Sequence, residues 1–266
     1  MNRFKTAVAQ DSPQIGLWQA LANPYTAEIC AGAGFDWLLI DAEHGPNDLP
    51  LVLQQLQAVE SSDTEAVVRL PCGDAALIKQ YLDIGARTLL IPMVESASQA
   101  SNIVAATRYP PRGVRGVGSA IGRASRWNRA PDYLHTAEQD ICLLLQVESI
   151  AGMDACSEIA ATDGVDGVFI GPSDLAAALG HLGHPGHHDV QTAIESMLTN
   201  ILAAGKAAGT LAADETLARK YLNAGMQFVA VGTDVTILAR GAEALAQKFN
   251  GATKSTPSSP AGDGVY

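Results

Sequence analysis

The sequence predicts an α/β protein folded as one (β/α)₈ barrel, and three observations carry that prediction. The chain has 266 residues, a length suited to such a barrel, and no Pro/Gly/Ser-rich linker divides it. Short apolar runs alternate with amphipathic helical patterns eight times, joined mainly by short loops. Polar and charged residues collect where those runs end, the end at which barrel enzymes place their chemistry.

The first strand is expected at residues 15–18, before a helix capped by Asn23 with Pro24 at its first position. Residues 37–41 form the second strand, with a helix over 48–60. Residues 66–69 with a helix over 74–84 make the third unit; 88–92 with a helix capped by Ser96 make the fourth. A Gly/Arg/Pro-rich insertion then runs from Arg108 to Leu134. The fifth and sixth strands, 142–147 and 167–170, are continuously hydrophobic rather than alternating, as strands buried on both faces are. Residues 210–213 begin the seventh unit and 228–232 the eighth, whose helix is expected over 236–249. The barrel is thus assigned to residues 1–250. The Ser/Pro/Gly-rich segment 251–266 is expected to leave it as a tail.

Composition narrows the function. With 47% hydrophobic and 5% aromatic residues, the core must be built from Ala, Leu, Val and Ile. A formal net charge of -11 argues against general affinity for nucleic acid or anionic membrane, which need a basic surface. Six arginines fall in the insertion: Arg108, Arg112, Arg115, Arg123, Arg126 and Arg129. They read as a solvated or subunit-contacting loop in preference to a substrate site. Cys30, Cys72, Cys142 and Cys156 have no C-x-x-C spacing and read as reduced packing residues. The N-terminus has no signal-peptide core and no run approaches membrane-spanning length, so a cytoplasmic protein is expected.

The candidate chemistry centres on Glu148 and Asp174, each at the end of a predicted buried strand. Neighbouring strands lie about 4.8 Å apart, so adjacent strand ends would bring both carboxylates to one point. Carboxylates that close repel unless a cation lies between them. Singly, Glu148 reads equally as a helix cap and Asp174 as a helix N-terminal charge. Two protein ligands leave positions open for water and substrate, as is usual for Mg²⁺ or Mn²⁺; Co²⁺ also tolerates oxygen donors. A 2-oxo acid suits such an ion, which can stabilise an enolate forming at its ketone.

The same strand-end rule collects Trp18, Asp41, Glu43, His44, Arg69, Gln146 and Ser173. Arg69 suits a carboxylate or enolate oxygen, and His44 is the natural general base. Backbone N–H groups after Gly171, Pro172 and Ser173 are candidates to hold a substrate carboxylate. A lysine imine would stabilise the same enolate, but no lysine is expected at the catalytic face. Gly116-Val117-Gly118 lacks the third glycine of a dinucleotide fingerprint, and His181, His184, His187 and His188 lie in a polar loop without an adjoining ligand framework.

These residues resemble a known family. Leu39-Ile-Asp41-Ala-Glu43-His44, Val68-Arg69, Gly116-Val-Gly118-Ser-Ala, Arg123-Ala-Ser-Arg126-Trp127-Asn128, Gln146-Val-Glu148 and Gly167-Val-Phe-Ile-Gly171-Pro-Ser-Asp174 are similar to motifs of the HpcH/HpaI metal-dependent pyruvate aldolases. The resemblance runs from about Ile15 to Phe249. It implies a barrel of the phosphoenolpyruvate/pyruvate type and reversible cleavage of 4-hydroxy-2-oxoheptanedioate to pyruvate and succinic semialdehyde, within aromatic catabolism.

It further implies Glu148 and Asp174 as metal ligands, with Gln146 near the metal and donor. Arg69 then lies on the 2-oxo acid, and His44 is the base acting through a water at the metal. Trp18, Asp41, Gln146, Gly171, Pro172, Ser173 and Asp174 are the expected substrate contacts. Asp83, otherwise a solvent-facing helix charge, becomes by resemblance the partner of the histidine of an adjacent subunit in a homo-oligomer, a hexamer built as a trimer of dimers. Close relatives usually carry alanine at Ser173; the added hydroxyl bears on donor choice between pyruvate and hydroxypyruvate. A sibling aldolase for a sugar acid such as 2-keto-3-deoxy-rhamnonate or 5-keto-4-deoxy-glucarate, a coenzyme A ester lyase and a non-catalytic 2-oxo-acid-binding protein stand as alternatives.

Overall fold

The computed structural model describes residues 2–250, and the expected tail at 251–266 lies outside the described residues. The first half of the chain runs α1 (Arg3–Ala9), β1 (Gln14–Gln19), α2 (Pro24–Ala31), β2 (Trp37–Asp41), α3 (Leu49–Val59), β3 (Glu65–Arg69), α4 (Ala75–Asp83), β4 (Thr88–Ile91) and α5 (Ala97–Thr107). The second half holds a 3₁₀ turn (Arg123–Ser125), α6 (Tyr133–Asp140), β5 (Cys142–Val147), α7 (Ile150–Asp154), α8 (Cys156–Ala161), β6 (Gly167–Ile170), α9 (Pro172–Ala178), α10 (His188–Ala203), β7 (Ala207–Leu211), α11 (Glu215–Asn223), β8 (Phe228–Thr233) and α12 (Asp234–Asn250). The eight strands pair in sequence order, all parallel, and β8 closes on β1.

Several boundaries differ from expectation. The seventh strand begins at Ala207 instead of Thr210, because Ala207-Ala208-Gly209 carries no bulky apolar residue to announce it. The helix after β5 is broken into α7 and α8, and α1 precedes the barrel unannounced. The insertion is mostly turn and ends in α6. Cys72 is exposed, so it is not a packing residue; the loop between β3 and α4 turns it outward. The predicted caps are present: Asn23 accepts from Tyr25 N, and Ser96 from Gln99 N.

The barrel has two hydrophobic layers. The outer one joins outward-facing strand residues such as Ile40, Val68, Leu145 and Val168 to the helices. The inner one is an aromatic column along the barrel axis. Phe4 of α1 meets Phe228 at 5.7 Å, Phe228 meets Phe169 at 6.3 Å, and Phe169 meets Trp18 at 5.6 Å. Trp37 packs edge-on to Phe4 at 5.8 Å. Gly16 makes room for it, since a Cβ there would lie 2.6 Å from Trp37 Cζ2. Among the described residues no helix is long and apolar enough to cross a membrane.

The base of this column generates a prediction. Phe4 is fully buried, and Phe4→Ala would leave a cavity beneath Trp37 and Phe228. A loss of about 3–5 kcal/mol is expected, read from denaturant unfolding, with the activity of the remaining folded protein largely kept.

Candidate active site

The C-terminal ends of the strands bring the predicted residues together, beginning with Asp41. Asp41 and Arg69 are direct partners in the β2–β3 register, so their side chains leave the sheet side by side. Arg69 donates from Nε to Asp41 Oδ1 at 2.9 Å and from Nη2 to Oδ2 at 2.6 Å. Trp18 Nε1 adds a bond to Oδ2, and the backbone N–H groups of Glu43 and His44 bond to Oδ1. Asp41 thus accepts five donors, which places its work in holding Arg69, Trp18 and the turn that carries His44. Asn47 locks the same turn by donating to Asp41 O at 2.7 Å.

Arg69 has a second carboxylate, Glu43, 2.9 Å from Nη1, and lies over the Trp18 ring with its guanidinium carbon 4.8 Å from the centroid. Burial would lower Arg69, but Asp41 and Glu43 hold it above its ordinary value. Burial pushes Glu43 up against the pull of Arg69 and His44. The ring of His44 belongs to an exposed residue of the turn.

Across the mouth, Glu148 is buried while Asp174 is exposed at the first turn of α9. Gln146 Nε2 donates to Glu148 Oε2 at 2.5 Å, and the Met93 N–H donates to Oε1 at 3.0 Å. Met93 makes that bond with φ at 54°, a left-handed conformation costly for a non-glycine residue. Gly171 is required here: a Cβ would lie 2.9 Å from Glu148 Cβ and collide with Oε2. Burial pushes Glu148 upward; Gln146 and the Met93 N–H pull it down, and the charges of Asp174 and Glu43 add to the rise. One pocket is lined by Trp18, Arg69, Gln146, Glu148, Phe169, Gly171, Pro172, Ser173, Asp174 and Leu211.

These residues fit a divalent cation. Glu43, Glu148 and Asp174 repel one another at the mouth, and Gln146 Oε1 is a buried acceptor with no donor among the described residues. All these donors are oxygens, the set that hard cations take. The strand-end rule collects Glu43 but assigns it no role, and the Met93 N–H is not among the residues it collects. The signal for Glu43 is its place in the turn after β2; Met93 acts through its backbone, which carries no sequence signal.

Two predicted features lie elsewhere. Asp83 ends α4, five residues before β4 begins, and so stands at the opposite end of the barrel from His44. Within one chain the two do not meet. The histidine loop does gain a third candidate ligand: Asp189 Oδ2 is 3.0 Å from His181 Nε2 and 3.6 Å from His187 Nδ1. The His181 and His187 rings stack, 17° from parallel, so their in-plane lone pairs do not converge on one ion. Among the described residues, Lys5 bonds to Ile141 O and Lys206 to Val165 O, and no lysine lines the pocket at the mouth.

Residues 14–241 match the model of the HpcH/HpaI aldolase/citrate lyase family. The chain belongs to that family. It is therefore an aldolase-class lyase, and its relatives agree. It is 61% identical to a hydroxypyruvate/pyruvate aldolase of Deinococcus radiodurans over all of this chain and 96% of the relative. It is 57% identical to a 4-hydroxy-2-oxo-heptane-1,7-dioate aldolase of Salmonella dublin over 100% of this chain and 99% of that one. The crystal structure of an HpcH/HpaI aldolase/citrate lyase family protein from Burkholderia cenocepacia superposes with a TM-score of 0.90 at 42% identity, covering 93% of this chain and 99% of the other.

The buried Asp41–Arg69 pair of this lyase has a testable sign. Burial alone would raise Asp41, but the Arg69 guanidinium outweighs it and the net value is lowered. Its stabilisation is therefore fully present above the ordinary Asp range and is lost as pH falls through the lower, folded-state value. Asp41→Asn is expected to cost about 3–5 kcal/mol by stranding a buried charge, and to blunt the loss of stability on acidification. Denaturant unfolding at neutral and acid pH reads both effects.

Proposed function

We propose that this protein is a divalent-metal-dependent pyruvate aldolase that reversibly cleaves 4-hydroxy-2-oxoheptanedioate to pyruvate and succinic semialdehyde. The observation that carries the reading is Glu148, buried and raised, beside Asp174 in a pocket lined by no lysine among the described residues. Glu148 and Asp174 are the residues that would hold Mg²⁺, Mn²⁺ or Co²⁺, and a bound ion would supply Lewis-acid polarisation of the ketone of a 2-oxo acid.

The protein groups supply the rest. Arg69, fixed by Asp41, carries positive charge to the carboxylate and to the oxygen that becomes anionic as the carbon–carbon bond breaks. His44 removes the proton of the C4 hydroxyl; the C3–C4 bond breaks, succinic semialdehyde leaves, and the enolate of pyruvate takes a proton at C3. Trp18 and Phe169 form an apolar wall against the donor. Asp41 serves this reaction by orientation, since its oxygens are already occupied.

A second reading, hydroxypyruvate as donor, is favoured by Ser173, a residue of the pocket lining, and by the relative of that name. The working form proposed is a cytoplasmic homo-oligomer in the degradation of aromatic acids. Two observations support assembly. The helix α12 exposes Ile237, Leu238, Leu245 and Phe249. Asp83, at the far end of the barrel from His44, can reach such a histidine only in another copy.

Purified protein should consume succinic semialdehyde only with pyruvate present, lose turnover on chelation and regain it with Mg²⁺ or Mn²⁺. Pyruvate-dependent inactivation by borohydride, with mass added at a lysine, would falsify the metal reading. Arg69→Ala should lower both aldol cleavage and pyruvate C3 proton exchange on the order of 10²–10³-fold. His44→Ala should slow them roughly 10²–10⁴-fold while pyruvate still binds; unchanged rates would remove His44 from the reaction.

A further inference from the structure

Arg115, in the insertion, is a fully buried guanidinium far from the catalytic mouth of its own chain. Its Nη2 donates to Asp83 Oδ1 at 2.9 Å and to the Tyr133 hydroxyl at 3.1 Å. The guanidinium carbon lies 4.6 Å from the Tyr109 ring centroid and 5.9 Å from that of Tyr133. Burial pushes the Tyr109 hydroxyl up to about 12 against the opposing pull of Arg115, so that phenol stays neutral near pH 7. Asp83 is therefore the counter-ion.

As a stability device this arrangement is poor. Arg115 Nε and Nη1 are buried without hydrogen-bond partners among the described residues, and a buried charge with unmet donors gives back much of what its ion pair gains. Asp83 also stands at the C-terminal end of α4, where the helix carbonyls disfavour a carboxylate. Unheld, it would turn toward solvent. Arg115 supplies the missing positive charge and holds one oxygen, while the Asp83 side chain stays 28% exposed. Val117 and Ile121 beside it are 65% and 86% exposed, an apolar surround suited to a second copy of this chain.

We propose that Arg115 is a positioning residue for the aldol reaction, clamping Asp83 through Oδ1 so that Oδ2 is presented to the His44 ring of a neighbouring copy. The inference rests on the reading of Asp83 as the cross-chain partner of His44. It adds that the carboxylate works only as half of an ion pair assembled by the insertion, which assigns the insertion a role in catalysis at the neighbour's site.

The experiment is a double-variant cycle with complementation. Arg115→Gln should lower kcat by up to about 10²-fold, the scale of a misplaced catalytic group, with KM for pyruvate unchanged. Arg115→Lys, which keeps the charge, should recover part of the rate and serves if the glutamine variant does not fold. Asp83→Asn with Arg115→Gln should be no slower than Asp83→Asn alone. Mixing Arg115→Gln and His44→Ala proteins after reversible dissociation should restore activity, because intact His44 and an intact Asp83–Arg115 pair then meet from different chains. Wild-type kcat in Arg115→Gln, additive losses in the double variant, or silent mixed oligomers when Asp83→Asn with His44→Ala does recover would each overturn the proposal alone. A wild-type rate in Asp83→Asn would instead overturn the cross-chain reading, and the proposal with it.

Discussion

The bidentate pair between Asp41 and Arg69 is the constraint on which the catalytic mouth depends. Two ionised side chains are taken out of water there, which is tolerable only because nearly every lone pair and proton is matched. Asp41 spends its oxygens on Arg69, Trp18 and the backbone of the following turn. One carboxylate thereby sets the direction of a guanidinium, the plane of an indole and the exit angle of the segment bearing His44. The guanidinium keeps its remaining edge for Glu43 and, under the proposed function, for a substrate anion.

Below that pair the barrel is filled by rings, which is why so small an aromatic content suffices. Phe4, Phe228, Phe169 and Trp18 succeed one another from the closed end to the mouth, and Trp18 passes the contact to Arg69. The charged mouth therefore stands on a rigid apolar support, with α1 closing the other end. Under the proposed function rigidity matters, since donors act on developing enolate charge only where they are already aimed.

The opposite wall is organised by repulsion. Glu148, Asp174 and Glu43 repel one another across the mouth, and burial raises Glu148, and Glu43 even against the pull of Arg69. Gln146, the strained Met93 and the side-chain-free Gly171 hold Glu148 in a position it would not otherwise keep. Strain and unfavourable charge are concentrated at one rim, against a well-satisfied frame elsewhere, an arrangement that fits the cation and anionic ligand of the proposed function.

Most of this frame was legible in the sequence, because buried parallel strands read as unbroken apolar runs and their last residues must face the mouth. The strand ends at Asp41, Arg69, Val147 and Ile170 follow from that rule alone, and with them Glu148 and Asp174. The seventh strand was misplaced by three residues because Ala207-Ala208-Gly209 is made of small residues that yield space to the Phe228 ring, a partner distant in sequence. The Met93 N–H bond, the five-donor environment of Asp41 and the Arg115–Asp83 pair were likewise invisible. Each joins residues that only barrel closure or the folding of the insertion brings together. Periodicity by itself determined which strand ends face the mouth; the tertiary structure alone decided which side chains line it and hold one another in place, because that depends on distances across strands and loops that a linear pattern does not contain.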